Sequence, residues 1–457
     1  MDFKKLEKEI FDFVCTVGCA MTKAILADLD QKLHDERNKK QLRDKGKRKT
    51  TIKAMYGDVE IKRYFYLDEN GEGVYLLDQE IGLDQKAGLF SPNVAEMIVQ
   101  ACGKMSFADA AEYISTHTGQ DISKVGCWNI FQEIAARVNE EELFERANDT
   151  PEVLFEETDG VWVNTQDARK KSGSAEIKLA TIYEGWEASD PDKLKKKTLI
   201  GGYIKAEDIR DKMETVKNKL YDVEKIQTVI VNGDGAGWID NVEEGLAIRQ
   251  LDNFHIQKYI NRLIKDKKIQ GKLRRALREK KTDRVLELIE MYINSLEGQD
   301  DKAVADAKRL YSYLDRGDEI LSWMDRVTVP DPPEGTIYKR GGIQESQNTM
   351  ISSRMKHGKK RWSIRGGCNM AKLLCVMQNG QLDKLIQKIN FQAPDVDLPD
   401  PTNSFSAGRS AGRQKKVGKG SKYVDVFISR IPSLGTANGT IPEMMRGIID
   451  CSGYNIV

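Results

Sequence analysis

The segment Ile226–Ile239, "IQTVIVNGDGAGWI", constrains the fold of this chain more than any other. It predicts a strand that is apolar on both faces and ends in a glycine-rich turn at Asp234. Strands of this kind lie in the middle of a sheet that is covered on both sides. Two further strands are predicted before it, Val153–Asn164 and Glu176–Glu187, with a helix near Ala206–Leu220. The pattern indicates an α/β fold.

The length of the chain predicts several domains, and its charge distribution is compatible with a polyanionic partner. A chain of 457 residues suggests two to four domains, and 40% hydrophobic residues suffice for a sizeable core. The net charge of +1 averages over uneven segments. Basic runs occur at Lys39–Lys53, Lys193–Lys197, Lys258–Lys281 and Arg409–Lys422. Contact with a polyanion and ordinary solvated helix faces both explain such runs, and both interpretations stay open.

Neither a disulfide framework nor a membrane protein is indicated. The seven cysteines are scattered and include no CxxC pair, so a zinc site is not expected either. No stretch of eighteen apolar residues is apparent, and Glu7, Glu9 and Asp12 interrupt the apolar start of the chain. We therefore expect a cytoplasmic, nucleoid-associated protein without a membrane segment.

The N-terminal part shows helical and hairpin patterns. Apolar spacing predicts a helix to about Asp35, followed by a basic β-hairpin around the turn Tyr56-Gly57-Asp58 and a short strand at Gly73–Asp78. Two helices are predicted within Ser91–Val138, broken around Thr118-Gly119-Gln120, and the second is capped by Ser123. This pattern is typical of a helix-turn-helix, although any packed helix pair gives it as well.

Two aspartates occupy positions that suit metal-dependent phosphodiester chemistry. Such chemistry needs several converging carboxylates on rigid elements. Asp159 lies inside a predicted strand, and Asp234 follows the central strand. An Asp-Gly pair at a strand end is also typical of a plain turn, which stays open for Asp159. Glu157 shares a strand face with Asp159 and is a competing ligand, whereas Glu156 points to the other face. The loop "NGDGAG" lacks the pattern of a nucleotide-binding loop.

The remaining candidates lie later in the chain. Glu345 precedes a predicted helix with a basic end, whose side chains would hold phosphates: Arg354, Lys356, Lys360 and Arg361. His255 forms a D-x-x-H pair with Asp252, where it would contact the scissile phosphate or steady Asp252; capping the next helix is an equal alternative. Roughly Lys258–Arg326 is predicted to be helical.

Taken in order, these segments resemble the ISLre family of bacterial insertion-sequence transposases, long described as uncharacterised and related to the Mutator-like group. The resemblance is carried by "RDKGKRKTTIKAMYGDVEIKRYFY", "ADAAEYIS", "EETDGVWV", "VNGDGAGWI", "LDNFHIQKYI" and "ESQNTMISSRMKHGKKRWSIRGGCNMAKLL", from about Asp44 to Leu374. It implies a ribonuclease-H-like core with an all-helical insertion, and a D-D-E triad at Asp159, Asp234 and Glu345. It also implies that the C/D-x-x-H signature of the Mutator-like relatives corresponds to Asp252 and His255. Glu334 competes with Glu345 but lies in a proline-rich turn.

The resulting hypothesis is a transposase that cuts insertion-sequence ends and joins them to target DNA. Its triad would hold two Mg2+ ions, with Mn2+ as a substitute, and His255 would assist. Its partners would be double-stranded DNA, as inverted repeats and target, and further copies of the chain on paired ends. A ribonuclease-H-like nuclease that does not join, and an inactive or domesticated DNA-binding regulator, are the alternatives. The residues expected to contact DNA, besides those of the basic helix end, are Lys45, Lys47, Arg48, Lys49, Lys53, Ser123, Lys124 and Trp128.

Six regions are predicted: an N-terminal helix and basic hairpin (1–80), a helix-turn-helix-like region (81–148), and the first part of the core (149–258). A helical insertion (259–335), the last part of the core (336–392) and a basic flexible C-terminal region (393–457) follow.

Overall fold

The structure is a computed structural model that describes residues 2–83, 90–166, 172–235, 247–298, 300–356 and 360–391. Its internal contacts divide the chain into two compact units. The unit Thr22–Ala393 contains the sheet and every site considered below, whereas the first helix, α1 (Phe3–Glu36), belongs to the other unit up to Met21. The predicted C-terminal region, 393–457, lies outside the described residues.

Helix α1 is also the one described helix that is long and apolar enough to cross a membrane. Its most apolar 18-residue window has a mean hydropathy of 1.7. Core helices of soluble proteins and signal sequences meet the same criterion, so this is weak evidence. The expectation of a chain without a membrane segment stays a prediction.

The predicted β-hairpin is confirmed. It consists of β1 (Arg43–Ala54) and β2 (Gly57–Leu67), which pair antiparallel. Gly57 has φ of +133°, a conformation that favours glycine, at the start of β2. The predicted strand at Gly73–Asp78 is wrong beyond its start, because only β3 (Gly73–Val74) is extended and α2 (Leu76–Glu80) follows, with Leu77 buried.

A cluster of helices follows the hairpin: α3 (Pro92–Lys104), α4 (Phe107–His117), α5 (Lys124–Ala136) and α6 (Glu140–Leu143). The predicted break near Gly119 and the Ser123 cap are confirmed, since the Ser123 hydroxyl accepts a hydrogen bond from Gly126 N at 3.1 Å. Three helices rather than two fill Ser91–Val138, because Ser106 caps an additional helix start. Their apolar faces form one core together with the sheet and the C-terminal helices.

A five-stranded mixed sheet lies at the centre of the unit Thr22–Ala393. Its strands are β4 (Val153–Gln166), β5 (Ser172–Tyr183), β7 (Thr198–Tyr203), β8 (Thr228–Gly233) and β9 (Ala247–Leu251), in the spatial order β7-β5-β4-β8-β9. Strands β4, β8 and β9 run parallel, and β5 is antiparallel to both of its neighbours. The apolar strand predicted for the interior of the sheet is β8, which lies between β4 and β9, so that part of the α/β prediction is confirmed.

Both faces of this sheet are covered. Helix α7 (Ala206–Leu220) packs its residues Ile209, Met213 and Val216 on one face, in the range predicted from the sequence. The opposite face carries α12 (Gln344–Met355) and α13 (Ile364–Gln378), with α14 (Leu382–Phe391) beyond them. A second, two-stranded sheet pairs β6 (Trp186–Glu187) with β10 (Thr336–Ile337).

Four helices separate β9 from α12 and have a core of their own. They are α8 (Asn253–Leu263), α9 (Lys267–Arg278), α10 (Thr282–Leu296) and α11 (Asp301–Leu314). Leu273, Ile289 and Leu310 are fully buried in that core. Helix α8 begins two residues after β9 and therefore ties this helical group to the edge strand of the sheet.

Candidate active site

Asp159 lies in the central strand β4 and is almost completely buried, with 9% of its surface exposed. One carboxylate oxygen, Oδ1, accepts a hydrogen bond from Gly160 N at 2.7 Å. The other, Oδ2, accepts one from the Asn348 side-chain amide on α12. The alternative that Asp159 belongs to a plain turn is therefore wrong, because the strand continues to Gln166.

Asp234 directly follows β8, the parallel neighbour of β4. The last residue pair between these strands is Thr158 with Gly233, so Asp159 and Asp234 are the next residues on adjacent strands. Both aspartates line a single cavity of about 350 Å³. The residue after Asp234 is also held, because Gly235 O accepts a hydrogen bond from Arg316 Nη2 at 2.6 Å. Gly235 has φ of +78°, so glycine suits the bend that follows the aspartate.

His255 belongs to the same cavity, whereas Asp252 has a different task. Asp252 caps α8, since its Oδ1 accepts a hydrogen bond from Phe254 N at 3.0 Å. One turn into that helix, His255 Nε2 lies 3.8 Å from Asp159 Oδ2. The D-x-x-H pair therefore divides into a helix cap and an imidazole directed at the first aspartate.

Glu345 is the second residue of α12, and its side chain lies outside the described part of the structure. Asn348, Thr349, Ser352 and Lys356 of the same segment line the cavity. Position 345 is three, four, seven and eleven residues before them. Helical periodicity therefore puts it on the cavity face of the helix.

Glu157 fixes the start of α12. Its carboxylate accepts hydrogen bonds from Gly342 N, Ile343 N and Gln344 N at 2.9, 2.9 and 3.2 Å. It also accepts bonds from Tyr183 Oη at 2.6 Å and Asn232 Nδ2 at 3.0 Å. Burial raises the pKa of this carboxyl. The predicted competitor of Asp159 thus caps a helix with all of its oxygen lone pairs engaged.

The donor set around the cavity suits a hard divalent cation. Asp159 and Asp234 supply carboxylate oxygens, the ligands that Mg2+ prefers, and the face of α12 that carries position 345 adjoins them. Among the described side chains, no three His, Cys, Asp or Glu residues are close enough to hold a metal ion. Glu176 is the third described carboxylate in the lining of the cavity, and it is paired with Lys178 at 2.7 Å.

Several cavity residues were not singled out from the sequence. They are aromatic, acidic, basic or amide side chains: Trp162, Glu176, Lys258, Tyr259, Arg262 and Asn348. Trp162 is 56% exposed although it is large and apolar. On α8, residues 255, 258, 259 and 262 share one face, so the i, i+3, i+4, i+7 spacing after His255 was a signal that could have found Lys258, Tyr259 and Arg262.

The basic residues of the hairpin are largely exposed, and some have partners. Lys45 and Arg48 lie in the exposed half of β1. Lys49 pairs with Glu60 at 2.8 Å, and Lys53 pairs with Asp58 at 3.3 Å. Lys47 Nζ lies 4.2 Å from the centroid of the Tyr64 ring. The hairpin is separate from the residues that line the cavity.

The residues of α5 and of the segment from α12 onward that were predicted to contact DNA differ in their exposure and in the cavity they line. Lys124 is exposed, whereas Ser123 caps its helix and Trp128 packs edge-on against Phe107, with ring centroids 5.1 Å apart. Lys356 lines the cavity. Lys360 and Arg361 lie away from this cavity and line a separate depression beside Trp128 and Trp362.

Arg354 is the exception in this set, because it is buried. Its Nε donates a hydrogen bond to Cys102 O at 2.7 Å, and its guanidinium lies over the rings of Phe107 and Trp362. The prediction that it holds a phosphate is therefore corrected: in this structure the arginine joins α12 to α3 and is not accessible to DNA.

With this geometry in view, comparison with known proteins gives the family. The sequence model of an uncharacterised protein family, UPF0236, matches residues 1–389. The chain belongs to the UPF0236 family. The match extends over the hairpin, the helical cluster, the sheet and the helices that carry the cavity.

Relatives within the UPF0236 family have similar length. A UPF0236 protein of Streptococcus gallolyticus, named for the vanSb 3′ region, is 24% identical over 408 residues, which cover 87% of this chain and 86% of the relative. A UPF0236 protein of Caldanaerobacter subterraneus subsp. tengcongensis is 27% identical over 391 residues, covering 83% and 79%. The name of the latter joins eleven locus designations.

Proposed function

We propose that this UPF0236 chain is a DNA transposase of the DDE type, similar to the ISLre transposases. Asp159, Asp234 and Glu345 would hold two Mg2+ ions, which Mn2+ could replace. The observation that carries the proposal is the meeting of Asp159 and Asp234, from adjacent parallel strands, in a polar cavity bordered by the helix that bears position 345. A buried aspartate in the central strand is costly unless its charge is used or paired.

The topology supports a ribonuclease-H-like core. Counted along the chain, the sheet has its third, second, first, fourth and fifth strands side by side, and only the second is antiparallel to the others. The aspartates occupy the first strand and the end of the fourth. Helices α8 to α11 stand where the resemblance implies an insertion. The helices also explain why the spacing from Asp234 to Glu345 is so long.

The names of the relatives support a mobile element. One relative's name joins eleven locus designations from one strain, and another from the same strain joins four. Nearly identical genes at many loci are expected for a sequence that inserts copies of itself into a genome. An ordinary nuclease or regulator has no reason to be present so often.

In the proposed reaction, water cleaves the phosphodiester at the element end, and the released 3′ hydroxyl attacks a target phosphodiester in line without a covalent protein intermediate. Bound Mg2+ ions stabilise the attacking and leaving oxygens of such displacements. The Asn348 amide and the His255 imidazole hold the Asp159 carboxylate in place. Lys258, Arg262 and Lys356 offset the charge of the phosphates that enter the cavity.

A strand-transfer assay tests the proposal. The substrate is a labelled duplex with the inverted repeat taken from the DNA that flanks the coding region, and the target is a plasmid. We expect the wild-type protein to form joined products in Mg2+ and Asp234→Asn to form none. Cleavage without joining would instead favour the nuclease alternative, and binding without cleavage the regulator.

A further inference from the structure

A second basic cavity lies on the other side of helix α8. It has a volume of about 400 Å³ and is lined by residues of α8, of α9 and of the segments around Leu321 and Arg340. Its polar lining consists of Asn253, Gln257, Arg274, Arg278, Ser322, Asp325 and Arg340. None of these residues belongs to the proposed catalytic set.

Helix α8 is the wall between the two cavities. Its residues 255, 258, 259 and 262 line the cavity of Asp159, whereas residues 253 and 257 line the second cavity. At 100° per residue, these two sets are on opposite sides of the helix. The two cavities are therefore separated by about one helix diameter, roughly 10–12 Å.

The second cavity presents arginines and donors that lack partners. Arg278 is exposed and makes no hydrogen bond or ion pair with any residue that the structure describes. Arg340 Nε and Ser322 Oγ are buried and have no hydrogen-bond partner within the described chain. Arg278 therefore presents an unpaired guanidinium to an anion in the cavity, whereas Arg340 Nε and Ser322 Oγ are covered by the protein itself.

The other charged side chains of the cavity, Arg274 and Asp325, have partners that leave the lining favourable for an anion. Arg274 is held by α8, because its Nε donates to Gln257 Oε1 at 3.0 Å and its Nη2 donates to Asn261. The single carboxylate in the lining, Asp325, is paired with Lys280 at 2.7 Å. Arg274 and Arg278 therefore make no ion pair with a carboxylate of the lining, whereas Arg340 interacts electrostatically with Asp325 and Asp252. Such a cluster of guanidinium groups suits phosphate oxygens.

We propose that this cavity binds a backbone phosphate of the same DNA whose scissile phosphate enters the cavity of Asp159. This inference rests on the proposed function and adds a second point of attachment to it. DNA rises about 3.4 Å per nucleotide along one strand, so crossing α8 takes at least about three nucleotides. Two phosphate sites on either side of a rigid helix would fix the direction of the strand across the catalytic carboxylates.

The test compares two arginines of the last two turns of α9. Arg278 lines the cavity, whereas Arg275 does not; the Arg275 side chain is 76% exposed and pairs with Glu279 at 2.7 Å. The full-length wild type, Arg278→Gln and Arg275→Gln are titrated with a random-sequence 30-base-pair duplex over a range of salt concentrations. We expect Arg278→Gln to reduce the slope of log Kobs against log[salt] by about 0.9, the value for one phosphate contact, and Arg275→Gln to leave it unchanged.

A second measurement locates the contact along the strand. Single methylphosphonates are placed at successive positions from the cut site, and binding is measured with the wild type and with Arg278→Gln. We expect one substitution, at least about three nucleotides from the scissile phosphate, to weaken wild-type binding and to have no effect on the variant.

The outcomes separate the two proposals. If the wild type binds duplex and Arg278→Gln has the wild-type slope, or if Arg275→Gln loses as much, the second site is wrong while the proposed function stands. If the wild type shows no salt-dependent binding to duplex at all, both are wrong. Since Arg278 is exposed and has no partner among the described residues, its replacement is not expected to impair folding.

Discussion

Glu157 and Asp159 are two residues apart on β4 and face the same side of the sheet, yet their surroundings give them different tasks. Glu157 has five donors around its carboxylate, three of them backbone N–H groups at the start of α12. Asp159 borders an open cavity instead. The strand alternation predicted the shared face correctly. It could not predict that backbone N–H groups at the start of α12, almost two hundred residues later in the chain, would donate hydrogen bonds to the Glu157 carboxylate.

We predict that Glu157→Gln impairs both stability and activity. The amide NH2 of glutamine would face donors, leaving at least one buried N–H group without an acceptor at a cost of about 1–3 kcal/mol. Urea denaturation should show the lower free energy of unfolding, and cleavage should fall because α12 is displaced. The control is Glu152→Gln, at an exposed glutamate just before β4. Equal stability of the two variants would contradict the assigned role of Glu157.

Trp162 is expected to act as a platform for a nucleobase. It is 56% exposed and lines the cavity three residues after Asp159. Stacking of a base on an aromatic ring contributes about 1–3 kcal/mol, so Trp162→Ala should weaken binding of the element end roughly 5- to 150-fold. Trp162→Phe should retain most of the affinity. Tyr113→Ala, at an exposed aromatic on α4, is the control, and an equal loss there would refute the specific role of Trp162.

At the scale of the elements, local signals in the sequence were sufficient for single helices and strands but not for their pairing. The bounds of α7, the Ser123 cap and the hairpin turn follow from apolar spacing and from short polar residues. Arg354 shows where such reasoning fails. A basic residue near a helix end suggests the surface. Here the ring of Phe107, from the distant helix α4, and the ring of Trp362, eight residues further along the chain, give the Arg354 guanidinium a buried position.

Helix α1 and the hairpin are joined by polar groups whose protonation matters. Asp30 is buried and accepts bonds from Tyr64 N at 3.1 and 3.2 Å, and the Tyr66 hydroxyl lies 3.1 Å from His34 Nδ1. Burial raises the pKa of Tyr66 to about 12. The part of α1 that follows Met21 should therefore detach from the hairpin more easily in alkali.

We predict that Tyr66→Phe flattens the alkaline loss of stability. A pKa that is higher in the folded state means that the proton is held more tightly there, so its contribution is present below about pH 10 and disappears as the pH rises through about 12. The variant lacks this titration. Its free energy of unfolding, from urea denaturation, should fall less between these pH values than that of the wild type. Equal slopes would refute the prediction, and Tyr113→Phe serves as the exposed control.

At the scale of the whole molecule, the cavity unites parts of the chain that are distant in sequence. Asp159 lies in β4, Asp234 directly follows β8, and His255 and Asn348 belong to two different helices. The sequence indicated the two aspartates because each follows or lies within an apolar strand. The approach of α12 depends on the packing of Ile351 and Met355 against the sheet and the helical cluster, and on the Glu157 cap. Neither is visible in local spacing.

Metal binding at a site built from separate elements can be measured through its effect on the stability of the fold. Ions held by the proposed carboxylates of separate elements would bind only the folded state, so Mg2+ or Mn2+ at about a hundred times Kd should stabilise the wild type by about 2.7 kcal/mol. We expect Tm to rise by several degrees, to fall again with a chelator, and to be independent of metal in Asp159→Asn. Removing a carboxylate alters Tm by itself, so the comparison is the metal-dependent difference. A full metal-dependent rise in that variant would contradict the site.

The triad itself is tested most directly by the rate of Mg2+-dependent cleavage at a labelled element end. Wild type is compared with Asp159→Asn, Asp234→Asn and Glu345→Gln, and with Glu334→Gln at the exposed glutamate that competes in sequence. Losing several kcal/mol of charge stabilisation should slow each triad variant at least about a hundredfold, while Glu334→Gln keeps the wild-type rate. Wild-type cleavage by Asp234→Asn or Glu345→Gln, or an equal loss in Glu334→Gln, would contradict the assignment.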